Sequence, residues 1–309
     1  MSMNVSIQQV SKLEGLSGSV FTLERTARPD RIYSGSSDRM VVEWNLETME
    51  PEKAVATLPT KAYALKFIDE FNWLIVGNLI GGLHVIDLAK KKEVRLMQLH
   101  TKTIFDLKYD AATKRLFSMS ADGSFAVWSL PEMELIHQRK LTDLKVRSLA
   151  FRPDMKEAAI GCGDGSIRII NTETFEELIK LEGHDKDYSV NALAYSPSGK
   201  HLLSGSRDAR LNYWQLRDGY DLLMRIPAHN YAIYSIVFHP TEPVFATCSM
   251  DKAIRIWEDG SMQPKTTVDI TNGGHTNSVN KLLWSEHNNY LISTGDDRTI
   301  RVWDVQIGR

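Results

Sequence analysis

The sequence predicts an all-β fold built from similar units, and a spaced motif, a regular period and short alternating strands carry this prediction. The motif is Ser or Thr, then Asp four residues later, then Trp six residues after that. It occurs five times in the 309 residues, ending at Trp44, Trp128, Trp214, Trp257 and Trp303. Trp44 to Trp128 and Trp128 to Trp214 each span about two periods of 42–43 residues. A period of this size is typical of a repeat architecture.

Two degenerate units fill the double-length gaps, which brings the total to seven. VGNLIGGLHVID aligns with one motif at Ile86, and IGCGDGSIRIIN aligns with the other at Ile170. Within each unit, alternating runs such as TIRVWDV and AIRIWED are separated by Asp-Gly, Gly-Asp or Asp-Arg turns. Such runs and turns indicate short antiparallel strands, and each unit has room for four of them.

The first strand of each unit has an irregular apolar pattern. The seven runs are VFTLER, AYALKF, IFDLKY, VRSLAF, VNALAY, IYSIVF and VNKLLW, with apolar residues in the first, fourth and sixth columns. A step of three followed by a step of two breaks the period of a flat strand. We therefore expect a β-bulge near the second and third columns.

These motifs make the chain resemble the seven-bladed β-propellers of the WD-repeat family. The terminal WDV at 303–305 and the Gly-His pairs at 183–184 and 274–275 are signatures of that family, although dipeptides such as Trp44-Asn45 depart from it. The resemblance covers about residues 4–306 and implies one propeller domain over 1–309, with four-stranded antiparallel blades. It also implies that an N-terminal strand at about residues 4–13 completes the last blade and closes the ring.

Each complete unit places a histidine before its motif, so Ser, His and Asp recur together and raise the question of a hydrolase. A relay from Trp N–H to Ser to His to Asp would satisfy every donor and acceptor, and it would consume the serine in structure. In WD-repeat proteins such a tetrad is structural. The four full tetrads predicted here are His100–Ser118–Asp122–Trp128, His184–Ser204–Asp208–Trp214, His229–Thr247–Asp251–Trp257 and His275–Ser293–Asp297–Trp303.

Three units depart from the tetrad. Unit one has Leu16 in place of the histidine, and the sequence offers no partner for Asp38. Unit four keeps only Asp164. Unit two has an apolar residue at all four positions, which would remove a buried network as a whole at little cost in stability. Those four residues are Leu58, Val76, Ile80 and Ile86.

Composition limits the function classes. With 37 Lys and Arg against 39 Asp and Glu, the net charge of −2 disfavours nucleic-acid binding. The N-terminus lacks the features of a signal peptide, and residues 71–88 indicate strand-turn-strand rather than a membrane span. We interpret Cys162 and Cys248 as buried thiols in a reducing compartment, which predicts a cytoplasmic location. The lack of a membrane span predicts no membrane association.

The sequence predicts neither a metal nor a cofactor. The histidines show no zinc spacing, and the inner strands offer only Glu24 and Asp106 as acids. GCGDG at 161–165 resembles a phosphate loop but no helix follows it, and calcium at Asp185 and Asp187 is a weak alternative.

A binding surface is predicted at the second column of the inner strands, which in similar propellers surrounds the mouth of the channel. Aromatic residues, Arg and Met on one rim have the composition of a binding hot spot. The alternative is that the aromatics only fill the channel mouth. The second column holds Phe21, Tyr63, Phe105, Arg147, Asn191, Tyr234 and Asn280. The position two residues earlier adds Lys61 and Lys145 to the predicted rim, and the position before the turn aspartate adds Arg207 and Met250.

The predicted function is that of a non-catalytic scaffold, a monomeric propeller whose rim binds a protein or peptide with acidic and apolar side chains. The alternative is a propeller enzyme or small-molecule binder with a site at the central axis, which would require inward-facing carboxylates or histidines. Because a fold does not determine a function, the sequence names no partner.

Overall fold

A computed structural model describes residues 3–217 and 219–308 of the chain. These residues form 28 β-strands and two single-turn 3-10 helices, at Asp69–Phe71 and Ile270–Asn272. The strands are arranged in seven four-stranded antiparallel sheets. The predicted fold class, an all-β, seven-bladed propeller, is confirmed.

The structure divides into two compact units, and the first contains the described residues 3–62 and 233–308. It holds three sheets, in which the strands follow the orders β2-β3-β4-β5, β22-β23-β24-β25 and β1-β28-β27-β26. The strands are β1 (Asn4–Leu13), β2 (Val20–Arg25), β3 (Arg31–Ser36), β4 (Met40–Asn45), β5 (Glu50–Thr57), β22 (Ile233–Phe238), β23 (Val244–Ser249), β24 (Ile254–Glu258), β25 (Pro264–Val268), β26 (Val279–Trp284), β27 (Leu291–Gly295) and β28 (Ile300–Gly308).

The second unit contains the described residues between 63 and 232 and holds four sheets, each made of four consecutive strands. The strands of the first two sheets are β6 (Ala62–Ile68), β7 (Trp73–Asn78), β8 (Gly82–Asp87), β9 (Lys92–Gln98), β10 (Ile104–Asp110), β11 (Arg115–Ser120), β12 (Ser124–Ser129) and β13 (Glu134–Lys140). Those of the other two are β14 (Val146–Phe151), β15 (Glu157–Cys162), β16 (Ser166–Asn171), β17 (Glu177–Glu182), β18 (Val190–Tyr195), β19 (His201–Ser206), β20 (Arg210–Gln215) and β21 (Asp221–Pro227).

The core consists of apolar side chains packed between neighbouring sheets of each unit. Val146, Leu149 and Ile160 form part of one such cluster in the second unit. Both cysteines are free and fully buried within these clusters, which confirms the prediction of two buried thiols. Burial raises the pKa of Cys162 to about 12, so its thiol stays protonated and unreactive.

A left-handed residue follows each motif aspartate in the turn between the second and third strands of a sheet. At Gly123 the backbone has φ +89°, and an added Cβ would lie 2.0 Å from the Thr142 carbonyl oxygen. Asp122 accepts a hydrogen bond from the Ser124 backbone N–H at 3.0 Å within this turn. The Asp-Gly pair is therefore required by both the turn conformation and the close approach of the next loop.

The bulge expected in the inner strands is confirmed. In six sheets the register of the first strand slips by one residue at its second position, which marks a β-bulge there. A bulge re-aims the side chain that it leaves out of the ladder. The six bulged residues are Phe21, Phe105, Arg147, Asn191, Tyr234 and Asn280, all of them predicted rim positions.

The N-terminal strand completes the last sheet, as expected. Strand β1 pairs antiparallel with β28, and their register runs from Asn4 opposite Gly308 to Leu13 opposite Ile300. Val5 and Leu13 are buried and belong to two different apolar clusters of this unit. Strand β1 therefore contributes both backbone pairing and core contacts to this sheet.

Deletion of residues 1–13 should lower the free energy of unfolding strongly, because it removes buried apolar contacts and leaves β28 as an unpaired edge. Urea denaturation of the full and shortened chains measures the effect. A synthetic peptide of residues 4–13 added to the shortened chain should recover part of the lost stability. Equal urea midpoints for the two chains would contradict the role assigned to β1.

Candidate functional site

The last sheet shows how a tetrad is built from four segments of the chain. Trp303 on β28 donates its indole N–H to the Ser293 hydroxyl on β27 at 2.8 Å. The same hydroxyl lies 2.8 Å from His275 Nε2, and His275 Nδ1 lies 2.9 Å from Asp297 Oδ2. Because a carboxylate only accepts, the proton sits on Nδ1 and the serine O–H donates to Nε2. Each of the four groups thus has a partner.

The second unit repeats this arrangement twice. His100 Nε2 and the Trp128 indole lie 2.8 and 3.1 Å from the Ser118 hydroxyl. The same two distances at Ser204 are 2.8 Å to His184 and 2.9 Å to Trp214. The Nδ1 atoms of His100 and His184 lie 3.1 and 3.0 Å from Asp122 and Asp208.

The remaining predicted tetrad belongs to the first unit. Trp257 donates to the Thr247 hydroxyl at 2.9 Å, and His229 is buried. Asp251 accepts from the backbone N–H of Ala253 in the turn.

The geometry of the Ser-His-Asp set does not suit nucleophilic catalysis. The side chains of Ser118, Ser204 and Ser293 are fully buried, and each hydroxyl already accepts from a tryptophan. A catalytic serine must instead present its oxygen to a substrate beside an oxyanion site. The aspartate has a different role, since Asp297 also accepts from the Thr276 backbone N–H at 3.1 Å. The set therefore fastens a loop and a turn to the middle of a sheet.

Hydrogen bonds from serine and backbone groups replace the missing histidine in the first sheet. Trp44 donates to Ser34 at 2.8 Å, as in the full tetrads. Asp38 accepts from the backbone N–H of Ser17 at 3.0 Å, from the Ser17 hydroxyl at 3.2 Å, and from Ser36. These bonds satisfy the Asp38 carboxylate, for which the sequence offered no partner.

The apolar replacement predicted for the second sheet is wrong at Ile80, whose side chain is 54% exposed. Leu58, Val76 and Ile86 are buried as expected. The turn is held instead by Asn78, whose Oδ1 accepts from the Ile80 N–H at 3.0 Å and from the Gly82 N–H at 2.8 Å. Because Asn78 has taken over the turn bonds, residue 80 faces solvent without cost to a buried network.

Asn78 also begins a second polar network in that sheet. Its Nδ2 lies 2.8 Å from Nε2 of the buried His84, and His84 Nδ1 lies 2.7 Å from Glu93. In the fourth sheet, an arginine stabilises the one retained tetrad residue. Arg168 lies 3.3 Å from Asp164 and 3.1 Å from Glu177.

Three of the predicted rim residues, all in the second unit, form a contiguous group. The Arg147 guanidinium lies over the Phe105 ring, 4.1 Å from its centroid. Tyr63 meets Phe105 edge-to-face at a centroid separation of 6.0 Å. All three side chains are partly exposed. Their contact presents an aromatic surface with a positive charge stacked on it.

Two further cations adjoin this group. Burial lowers the pKa of Lys145, and the nearby charges of Arg147 and Arg207 lower it further. In the part of the chain that the structure describes, no carboxylate is ion-paired with Lys145 or Arg207. The Arg207 guanidinium lies 5.9 Å from the Tyr188 ring centroid, and the Tyr188 side chain is exposed.

Tyr188 and the exposed Leu144 were not among the predicted rim residues. Both precede an inner strand, and the only sequence signal was the unusual length of the loop that contains Tyr188. We call Tyr63, Phe105, Lys145, Arg147, Tyr188 and Arg207 the rim cluster.

The other predicted rim residues have different surroundings. Asn191 is buried and accepts from the Ser189 hydroxyl at 2.7 Å. Asn280 donates to the Val20 carbonyl at 3.0 Å and to Asp296 at 2.8 Å. These two amides contribute to the packing of their own units. The remaining four residues are Phe21 and Tyr234, which are half-buried, and Lys61 and Met250, which are exposed.

Two of the acidic residues considered for a metal are engaged in other contacts. Asp106 accepts from the Leu149 backbone N–H at 3.1 Å, and Asp185 pairs with Arg225 at 2.7 Å. Within residues 3–217 and 219–308, no three His, Cys, Asp or Glu side chains are grouped as a metal site would require. In the 161–165 segment, an added Cβ on Gly165 would lie 2.5 Å from the Asp185 carbonyl oxygen. That glycine permits packing against the next loop.

Comparison with known proteins agrees with the repeat and the sheets. The family model described as "WD domain, G-beta repeat" matches residues 175–215, 220–258 and 266–304. A second model, "Anaphase-promoting complex subunit 4 WD40 domain", matches residues 119–186. The chain belongs to the WD-repeat family.

Its WD-repeat relatives are distant. It is 25% identical to the mouse "Periodic tryptophan protein 2 homolog" over 64% of this chain and 26% of that protein. It is 26% identical to the Aspergillus niger "Nuclear distribution protein nudF" over 96% of this chain and 69% of that protein. It is 37% identical to the Culex quinquefasciatus "Probable cytosolic iron-sulfur protein assembly protein Ciao1" over 28% of this chain and 26% of that protein.

The chain thus spans about a quarter of the mouse and mosquito relatives that it matches. As for membrane association, the described residues of this WD-repeat chain include no helix with the length and apolarity needed to cross a bilayer.

Replacement of Ser293 by alanine should lower the free energy of unfolding by about 1–3 kcal/mol, because it leaves the Trp303 N–H and one ring nitrogen of His275 buried without a partner. Chemical denaturation measures the loss. Ser261→Ala is the control, since Ser261 is exposed and its hydroxyl donates to Glu258 at 2.9 Å and accepts from the Gln263 backbone N–H at 3.3 Å, so its loss leaves no buried group without a partner. If Ser293→Ala were as stable as the control variant, the tetrad would contribute nothing to stability.

Stability should fall as the pH drops below about 6.5, the ordinary pKa of histidine. Burial lowers the pKa of His275, outweighing Asp297, which raises it. The unfolded chain therefore takes up the proton first, and the folded state loses stability on acidification. Burial alone would raise the pKa of Asp297, but hydrogen bonds from His275 and Thr299 lower it overall. This carboxylate adds a further loss below its ordinary value of 3.8.

Urea midpoints measured between about pH 7 and pH 5 test this dependence. His275→Leu, which copies the residue found in the first sheet, should reduce the slope. A rise in stability over the same interval would show that His275 is protonated in the folded protein.

Proposed function

We propose that this chain is a non-catalytic scaffold whose rim cluster binds a protein or peptide ligand. The observation that carries the proposal is the stacking of Arg147 on Phe105, with Tyr63 packed against the same ring. Aromatic and arginine side chains are the residue types most often found at the energetic centre of protein interfaces. Each of these side chains follows a fully buried residue on its inner strand, namely Ala62, Ile104 or Val146.

The charge of the cluster specifies the ligand. Besides burial, the nearby charges of Arg147 and Arg207 lower the pKa of Lys145, so these three cations lie close together. Neither Lys145 nor Arg207 has an ion-pair partner among the described residues. Three cations near one another repel, and an anionic group placed between them would relieve the repulsion. The rings of Tyr63 and Phe105 offer an apolar surface beside these charges. The ligand that fits is a peptide with a carboxylate or phosphate next to an apolar side chain.

The proposal includes a setting and an assembly state. We propose that the chain works in the cytoplasm as a monomeric propeller, without nucleic-acid or membrane binding. Two buried free thiols suit a reducing compartment, and the mosquito relative has "cytosolic" in its name. The near balance of charges gives no general attraction to a nucleic-acid backbone.

Phe105→Ala combined with Arg147→Ala should weaken partner binding by about 2–4 kcal/mol, as is typical of hot-spot anchors, and leave folding nearly intact. Affinity capture from a lysate of the source organism identifies partners, and titration of a captured partner measures the loss.

A matched control comes from the same unit. Lys114 lies over the Phe71 ring at 5.5 Å from its centroid, in loops at the opposite strand ends, so Phe71→Ala with Lys114→Ala removes an equivalent pair. Loss of binding in the control pair and retention in the rim pair would refute the proposed site.

A further inference from the structure

A second bulge recurs in the outer strands, the strands at the far edge of each sheet from its inner strand. In all seven sheets, the register of the outer strand slips by one residue next to the tryptophan of the third strand or its equivalent. The bulged residues are Val10, Glu52, Val94, Ile136, Leu178, Leu223 and Lys265.

In the second unit, all four bulged residues are aliphatic and exposed. Val94, Ile136, Leu178 and Leu223 are 37%, 42%, 49% and 51% exposed, and we call them the aliphatic row. Each outer strand of this unit exposes one more large aliphatic side chain. These companions are Leu96, Leu135, Ile179 and Leu222.

Protection of a sheet edge does not explain the aliphatic row. A bulge or a charge on an outer strand discourages pairing with another chain, and Glu52 and Lys265 fit that purpose in the first unit. An exposed aliphatic side chain at the bulge gives the edge no such protection. Single exposed apolar residues are common on protein surfaces, but here the same register position is apolar on four consecutive sheets.

Unpaired carboxylates flank the row on three of these sheets. Glu134, Glu176 and Asp221 are exposed, and each lies two residues before a bulged aliphatic. Glu132 and Glu173 lie close before them in the chain and are also exposed. None of the five carboxylates is ion-paired with any residue that the structure describes. Apolar side chains bordered by acids define the complementary chemistry of a partner, which is aliphatic and basic.

We propose that the outer strands of the second unit bind a basic amphipathic segment of a partner protein. Aliphatic side chains of the segment pack on Ile136, Leu178 and Leu223, and its Lys or Arg side chains pair with Glu134, Glu176 and Asp221. A helix with one apolar and one basic face has this pattern. The surface is separate from the rim cluster, so a scaffold could hold two partners of opposite charge.

The probe is a fluorescein-labelled amphipathic peptide of leucine and lysine, about five helical turns long. Its binding to the full chain is followed by fluorescence anisotropy in about 0.15 M salt, which screens long-range attraction. Ile136→Ser, Leu178→Ser and Leu223→Ser together should weaken binding by about tenfold or more, with an unchanged melting temperature. Glu134→Gln, Glu176→Gln and Asp221→Asn together should weaken it and reduce its salt dependence.

Val10→Ser is the matched control, because it removes an exposed aliphatic side chain from the same bulge position in the first unit, and it should leave binding unchanged. The Phe105→Ala, Arg147→Ala variant should also keep binding, which separates this proposal from the one for the rim.

Equal affinity of the peptide for the wild type and the triple serine variant would overturn the proposal. So would equal binding of a leucine-glutamate peptide of the same length. A wild-type dimer that becomes a monomer in the triple serine variant would assign the surface to a second copy of the chain instead.

Discussion

A buried serine hydroxyl needs both a donor and an acceptor, and here an indole and an imidazole supply them. Ser293 meets this requirement between Trp303, which lies on a neighbouring strand, and His275, which lies in the loop before the first strand of the same sheet. The imidazole must then keep its proton on the other nitrogen, and Asp297 accepts it. Loop, turn and two strands are held by one chain of bonds. Because a partly satisfied network would be costly, each sheet either completes the set or rebuilds it.

The rebuilt sheets show which parts of the set can be exchanged. In the first sheet, the Ser17 backbone and hydroxyl take the place of an imidazole toward Asp38. In the second sheet, an asparagine holds the turn, and in the fourth an arginine bridges two carboxylates. What persists in all three is a side-chain oxygen that accepts backbone N–H groups in the turn. The turn, rather than the tryptophan, is thus the common requirement.

The features that sequence predicted well depend on local spacing. Ser293 and Trp303 are ten residues apart across one tight turn, so their pairing follows from strand register alone. The bulge at Phe105 and Arg147 was also visible, because it shifts the apolar pattern of a single strand. Other features depend on which nearby group captures a hydrogen bond, and spacing alone does not show this. Ile80 is exposed because Asn78 accepts the turn bonds, and the buried Asn191 accepts from the Ser189 hydroxyl. Outer strands such as ELIKLE look like core strands by composition, and only the register revealed that Leu178 is bulged outward.

The pairing of β1 with β28 also constrains how the protein is made on the ribosome. Gln9 accepts a hydrogen bond from Arg301, 292 positions later in the chain. At ordinary rates of translation, β1 waits on the order of tens of seconds for its partner strand to be synthesised. During that interval its backbone groups are open to pairing with any other nascent strand. The polar residues between Val5 and Leu13 make such mispairing less favourable, so the composition of this strand serves the unfinished chain as well as the finished sheet.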